Sequence, residues 1–314
     1  MPLDPQVAAF LETQAAAAEE NGIPPIQEQT PEMARLGYRA LADAMGPGPD
    51  LHAVEDRTIA GPDQNEIPVR IYRPSKKKDL PILVYYHGGG WVIGDLETHD
   101  QVCRMLSEGA NTVVVAVDYR LAPEHAFPAA VRDAYAALEW VERHAEELGG
   151  DALRLAVGGD SAGGNLAAVV SQLAKERGGP DIVFQLLVYP AVDMTQSHPS
   201  VEENGEGYVL TRDHMTWFRG HYLADSLEWT NPQASPLHFE DLRGLPPALI
   251  ITAEFDPLRD EGEEYARRLK AAGVAVQVER FEGQVHIFYQ LSPIVAAGCR
   301  AIEKSVTALV AAQR

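Results

Sequence analysis

Two cysteines among 314 residues are too few for a disulfide framework, so Cys103 and Cys299 point to a reducing compartment. Positive charge is scarce: 26 Lys and Arg stand against 46 Asp and Glu, a net charge of −20. A surface that acidic repels nucleic-acid phosphates and anionic lipid heads, so neither is expected as a partner. Long apolar runs are missing as well, since none reaches the roughly 18 residues of a membrane helix. The opening segment carries Asp4, Glu12, Glu19 and Glu20 and lacks the basic start and compact apolar core of a signal peptide. The expected location is cytoplasmic. The 10 histidines form no His-Glu-x-x-His or clustered His/Cys pattern, which argues against a catalytic metal. No Gly-Lys-Ser/Thr occurs, and a dinucleotide fingerprint begun by Gly88 and Gly90 would need glycine where Ile93 stands.

The composition is that of a globular protein, 46% hydrophobic and 23% charged. No internal repeat is visible, and Ala15–Ala18 is the one low-complexity patch. Residues 1–50 read as helical, broken at Pro24-Pro25 and at Gly46-Pro47-Gly48-Pro49. Val54–Ala60 and Ile67–Arg73 flank Gly61-Pro62-Asp63 and read as an antiparallel hairpin. Apolar runs of strand length follow at Leu80–Tyr86, Thr112–Val117, Leu153–Val157, Phe184–Tyr189, Ala248–Thr252 and Val274–Phe281. Helical patterns at His99–Gly109, Pro128–Leu148, Ala162–Arg177 and Asp260–Ala272 separate most of them, and Pro293–Ala312 closes the chain. Short apolar strands alternating with helices predict an α/β fold: a mostly parallel eight-stranded sheet flanked by helices, with the hairpin at one edge. The stretch from about 193 to 246 breaks the alternation. It has no strong strand and holds Tyr208, Trp217, Phe218, Tyr222 and Trp229. It reads as an insertion that joins residues 1–50 as a helical cap over a catalytic domain of residues 51–314.

Gly159-Asp160-Ser161-Ala162-Gly163 fits G-x-S-x-G and sits between a strand and a helix. A tight turn there lifts the serine oxygen clear of the backbone, and the helix aims its N-terminal dipole at the reacting centre. His87-Gly88-Gly89-Gly90 follows the strand Leu80–Tyr86. Its glycines free backbone N–H groups to converge on one point, so the amides of Gly89, Gly90 and Ala162 are candidate donors to an oxyanion. His87 precedes the serine in the chain and reads as a buttress of this loop.

A serine hydroxyl needs a base held by an acid, in the chain order Ser, acid, His. The strand Ala248–Thr252 runs into Glu254-Phe255-Asp256-Pro257-Leu258-Arg259-Asp260. Asp256 is the candidate acid. Glu254 and Asp260 are its rivals, with a loop hydrogen bond and a helix cap as their alternative roles. His286 is the sole histidine after His238 and lies past the last strand, which makes it the candidate base. Ser161, Asp256 and His286 are therefore the expected catalytic residues.

These segments, with Asp118-Tyr119-Arg120-Leu121-Ala122-Pro123-Glu124, resemble the bacterial carboxylesterases of the hormone-sensitive-lipase-like family, a branch of the α/β-hydrolases. The resemblance runs over residues 80–290. It implies an α/β-hydrolase fold with a helical cap, Ser161 as nucleophile, Asp256 as acid and His286 as base. It also implies an oxyanion hole of Gly89, Gly90 and Ala162, esters with short to medium acyl chains as substrates, and no cofactor. One departure is Ile287, where the family often has glycine after the histidine. Many such relatives dimerise, and the edge of the last strand is a surface on which a homodimer could form.

The same residues also serve an amidase, a lactonase or a carbamate hydrolase, because the triad is common to acyl transfer. A ligand receptor on this fold is a more distant alternative. The plant gibberellin receptors resemble this family but lack the catalytic histidine, which this chain keeps. Trp217, Phe218 and Tyr222 either line a pocket or pack the insertion on the core. Asp118–Glu124 reads as a brace near His87, and Cys103 and Cys299 as inert core residues.

Overall fold

The computed structural model describes residues 2–314. Its strands are β1 (Ala53–Ala60), β2 (Glu66–Arg73), β3 (Leu80–Tyr86), β4 (Val113–Val117), β5 (Gly150–Asp160), β6 (Phe184–Val188), β7 (Ala248–Phe255) and β8 (Val276–Val285). They form one eight-stranded sheet in the order β1-β2-β4-β3-β5-β6-β7-β8. The β1–β2 and β2–β4 pairs are antiparallel, and every later pair is parallel. Strand alternation divides the core between two faces. Ile82, Val84 and Tyr86 of β3 enter one cluster, while Leu83 and Tyr85 enter the other.

The first face packs on α4 (Ala129–Arg143), α5 (Ala162–Arg177) and α8 (Arg259–Ala271), and the second on α3 (Asp100–Ala110) and α9 (Ala296–Ala312). Two helices precede the sheet, α1 (Pro5–Asn21) and α2 (Pro31–Met45). Asp4 caps α1 by accepting from the Gln6 amide, and Thr30 caps α2 through the Met33 amide, as short polar side chains do at helix starts. Between β6 and β7 lie two further helices, α6 (Pro199–Glu203) and α7 (Arg212–Tyr222), together with 3-10 turns.

Strand and helix identities match the sequence pattern, and the ends differ. The strand expected to stop at Phe281 continues to Val285. Gly283 turns there with φ of 74°, and its amide donates to the Glu254 carboxylate, so a bulge carries the strand past the expected loop. The helix expected to run to Leu148 ends at Arg143, and the chain leaves through a turn closed by Gly149 at φ 76°. At the sheet edge, the Asp4 amide donates to the Gly283 carbonyl of β8.

Helix α5 is buried along nearly its whole length and starts hard against the C-terminal end of β3. A Cβ on Gly163 would lie 1.9 Å from the Tyr86 carbonyl oxygen, so only glycine permits this approach. Gly163→Ala is therefore expected to destabilise the protein by at least about 2 kcal/mol. In α7, a Cβ on Gly220 would meet nothing within 4 Å. Gly220→Ala should stabilise by roughly 0.5–1 kcal/mol. Urea denaturation of both variants measures the contrast, and similar midpoints would contradict it.

Candidate active site

The C-terminal ends of β3, β5, β7 and β8 meet where the parallel strands all point one way. Ser161 sits between β5 and α5 with φ of 55° and ψ of −118°, a conformation forced by the sharp turn. Its Oγ lies 2.9 Å from His286 Nε2. His286 Nδ1 lies 2.7 Å from Asp256 Oδ2. Asp256 is fully buried, and its second oxygen accepts from the Leu258 amide at 2.9 Å, which fixes the carboxylate plane. Of the two rivals, Glu254 accepts from Gly283, as a loop residue would. Asp260 is not a helix cap: it lies inside the first turn of α8, accepts from the Ser200 amide and pairs with Arg259. Neither hydrogen-bonds to His286.

The glycine loop is held from several sides. Gly89 has φ of 119°, and a Cβ on it would fall 2.2 Å from the Ile93 carbonyl oxygen, so the position admits glycine alone. The Gly89 carbonyl accepts from the Val92 and Ile93 amides, closing the turn. Ala162 opens α5, where its amide has no preceding helical carbonyl to bond. His87 is buried and stacks on Tyr119 at 4.3 Å, and the Tyr119 hydroxyl donates to the His87 carbonyl at 2.7 Å. Burial holds the His87 pKa down at about 4, so the ring is uncharged and buttresses the loop. The Asp118–Glu124 segment thus braces this turn. Its Ala122 amide also donates to the Trp91 carbonyl, and Arg35 of α2 pairs with Glu124 at 2.7 Å.

Asp160 is the residue whose role the sequence left open. Its buried carboxylate accepts from the Tyr85 hydroxyl (2.8 Å), the Gly88 amide (3.2 Å) and Gln290 Nε2 (2.8 Å). Gln290 also lies 2.7 Å from His99 Nε2 and 2.8 Å from the Tyr38 hydroxyl. His99 Nε2 also lies 3.2 Å from Asp160 Oδ1 and 3.3 Å from Oδ2, and its Nδ1 lies 2.9 Å from the Thr98 hydroxyl. One carboxylate therefore ties together the serine turn, the glycine loop, α2 and the segment after His286. Tyr189 is a second residue that periodicity did not single out. Its ring packs 4.5 Å from His286, and its hydroxyl donates to Gln290 Oε1.

A cavity of about 210 Å³ opens over Ser161 and His286. Tyr38 and Leu41 of α2 form part of its wall, and Met194, Leu210, Met215 and Phe218 come from the segment between β6 and β7. The aromatics of that segment divide their duties: Phe218 faces the cavity, whereas Tyr222 is fully buried and stacks on Trp91 at 4.4 Å. Cys103 is buried in α3, but Cys299 is only half-buried. No helix among the described residues is long and apolar enough to cross a membrane, and no cluster there could hold a metal ion.

A family model described as the alpha/beta hydrolase fold matches residues 83–290. The chain belongs to the α/β-hydrolases. Within them it is a carboxylesterase of the hormone-sensitive-lipase-like branch. It is 49% identical to the carboxylic ester hydrolase LipN of Mycobacterium tuberculosis over 88% of this chain and 74% of LipN. To the carboxylesterase NlhH of the same organism it is 46% identical, over 88% of each chain. The hyperthermophilic esterase from Pyrobaculum calidifontis superposes with a TM-score of 0.93 at 43% identity, over 99% of each chain. These likenesses make the protein a carboxylic ester hydrolase. Within this hydrolase, Asp160→Asn replaces an acceptor oxygen by an amide facing the Gln290 amide. It is expected to cost roughly 2–3 kcal/mol of unfolding free energy. An unchanged urea midpoint would show that the carboxylate does not hold the site together.

Proposed function

We propose that the protein cleaves small carboxylic esters of short to medium acyl chain through an acyl-enzyme on Ser161. The observation that carries this reading is the continuous chain Ser161 Oγ–His286 Nε2–His286 Nδ1–Asp256 Oδ2, with links of 2.9 and 2.7 Å. Its geometry suits a base that takes the serine proton while a buried acid holds the imidazole's tautomer. Ser161 attacks the ester carbonyl, and the proton passes to His286 Nε2. The carbonyl oxygen, now negative, is stabilised by the amides of Gly89, Gly90 and Ala162. His286 then protonates the leaving alcohol. Water, deprotonated by His286, attacks the acyl-enzyme and releases the carboxylic acid. Asp256 remains ionised throughout and stabilises the imidazolium.

Residues 1–50 and 193–246 act in this proposal as a cap. Met194, Leu210, Met215 and Phe218 wall the cavity with mostly apolar surface, which favours an uncharged acyl group over an anionic one. No cofactor or metal is needed, since the triad and backbone amides supply the proton transfers and the charge stabilisation.

Wild-type protein should hydrolyse p-nitrophenyl acetate and butyrate. Ser161→Ala is expected to lower kcat by about 10⁴-fold or more, with the fold retained by circular dichroism. If Ser161→Ala matched the wild type, Ser161 would not be the nucleophile. Asp256→Asn offers a separate check. It keeps the side-chain shape but favours the wrong imidazole tautomer, and kcat should fall by about 10⁴-fold. A loss below tenfold would remove Asp256 from the mechanism.

A further inference from the structure

Ile287 follows His286 directly and has φ of 68°. For a β-branched residue this left-handed conformation is rare, because the branched Cβ crowds its own backbone. The turn that follows imposes it: the Ile287 carbonyl accepts from the Gln290 amide at 2.9 Å and the Leu291 amide at 3.2 Å. Glycine would adopt the same conformation without strain. The side chain must therefore be sought for its position.

That position lies between two cavities. Ile287, with Tyr38 and Leu41 of α2, lines the cavity of about 210 Å³ over Ser161. The same three side chains line a second cavity of about 300 Å³ on their far side. As the residues common to both linings, they stand where the two cavities adjoin. Beyond them, Met45 and Leu291 supply apolar wall, and Thr98, Gln101 and Gln290 supply neutral polar groups. Of the three carboxylates in this lining, Glu97 and Asp100 are already paired with Arg70 and Arg104, and Asp43 is exposed to solvent.

We propose that the second cavity is a subsite for the alcohol portion of uncharged esters, and that Ile287 limits access to it as a specificity-determining residue. The inference rests on the proposed roles of Ser161 and His286. His286 Nε2 protonates the leaving oxygen, so the alcohol departs beside residue 286. The next side chain in the chain, Ile287, is the wall it meets. Removing that side chain joins the cavities and gives a longer alcohol room without altering the acyl side.

The test compares wild type, Ile287→Ala, Ile287→Gly and Leu41→Ala, the last opening the junction from α2. Two ester series are followed by acid release: acetates of ethanol through octanol, and methyl esters of acetic through octanoic acid. All three variants should raise the ratio of kcat/KM for octyl over ethyl acetate by about tenfold, and leave the acyl series in wild-type order. Ile287→Gly should also melt above Ile287→Ala, reversing the usual order, because only glycine escapes the strain at φ 68°. An active wild type whose alcohol ratio is unmoved in every variant overturns the inference and leaves the esterase reading intact. A change confined to the acyl series overturns the assignment to the alcohol. A wild type inactive on every ester overturns the proposed function, and this inference with it.

Discussion

The arrangement of the site depends on one buried negative charge. Asp160 is fully enclosed, and an unpaired carboxylate there would be far too costly to keep. It is stable because the Tyr85 hydroxyl, the Gly88 amide and the Gln290 side chain all donate to it. Each donor comes from a different part of the chain: β3, the glycine loop and the turn after His286. Satisfying the charge thus places the serine turn, the three glycines and the histidine segment in register. Gln290 extends the same network to Tyr38 of α2, so the N-terminal helices are positioned from the same centre. The function of the site requires these pieces to meet within hydrogen-bond distance, and the charge makes any looser arrangement unfavourable.

Backbone strain gathers around that centre. Ser161 at φ 55°, Tyr189 at φ 33° and Ile287 at φ 68° are all non-glycine residues with positive φ, and all lie within the site. Such conformations persist only where the surroundings fix them. Here α5 is anchored against β3 through Gly163, and the sheet beneath is buried on both faces. The rigid scaffold holds the strained turns, and the turns aim side chains at the cavity. The long segment between β6 and β7 has less regular structure and contributes wall residues such as Met215 and Phe218. Cavity shape is thereby separated from the Ser161–His286–Asp256 geometry, which rests on strand ends.

Much of this was legible in the chain. The apolar runs revealed the central strands β3, β4, β6 and β7, because a strand buried on both faces leaves no polar alternation to confuse the pattern. Ser161, Asp256 and His286 stood out by residue type, by order and by their place just past strand ends. Element ends were less legible. The bulge at Gly283 lengthens β8 through a hydrogen bond to a partner 29 residues away, which no local window contains. Asp260 looked like a helix cap from its position, yet its carboxylate is used by Ser200, 60 residues distant.

Local chemistry, written in single segments, determined the fold class, the serine turn, the glycine loop and the candidate acid and base. Tertiary structure alone decided what depends on distant groups meeting. It gave Asp160 its partners, put Tyr189 beneath His286, sent Phe218 to the cavity and Tyr222 to the core, and set Ile287 between two cavities. The reason is physical: turn and strand propensities act over a few residues, whereas burial, cavity shape and the pairing of a buried charge exist only after the chain has packed.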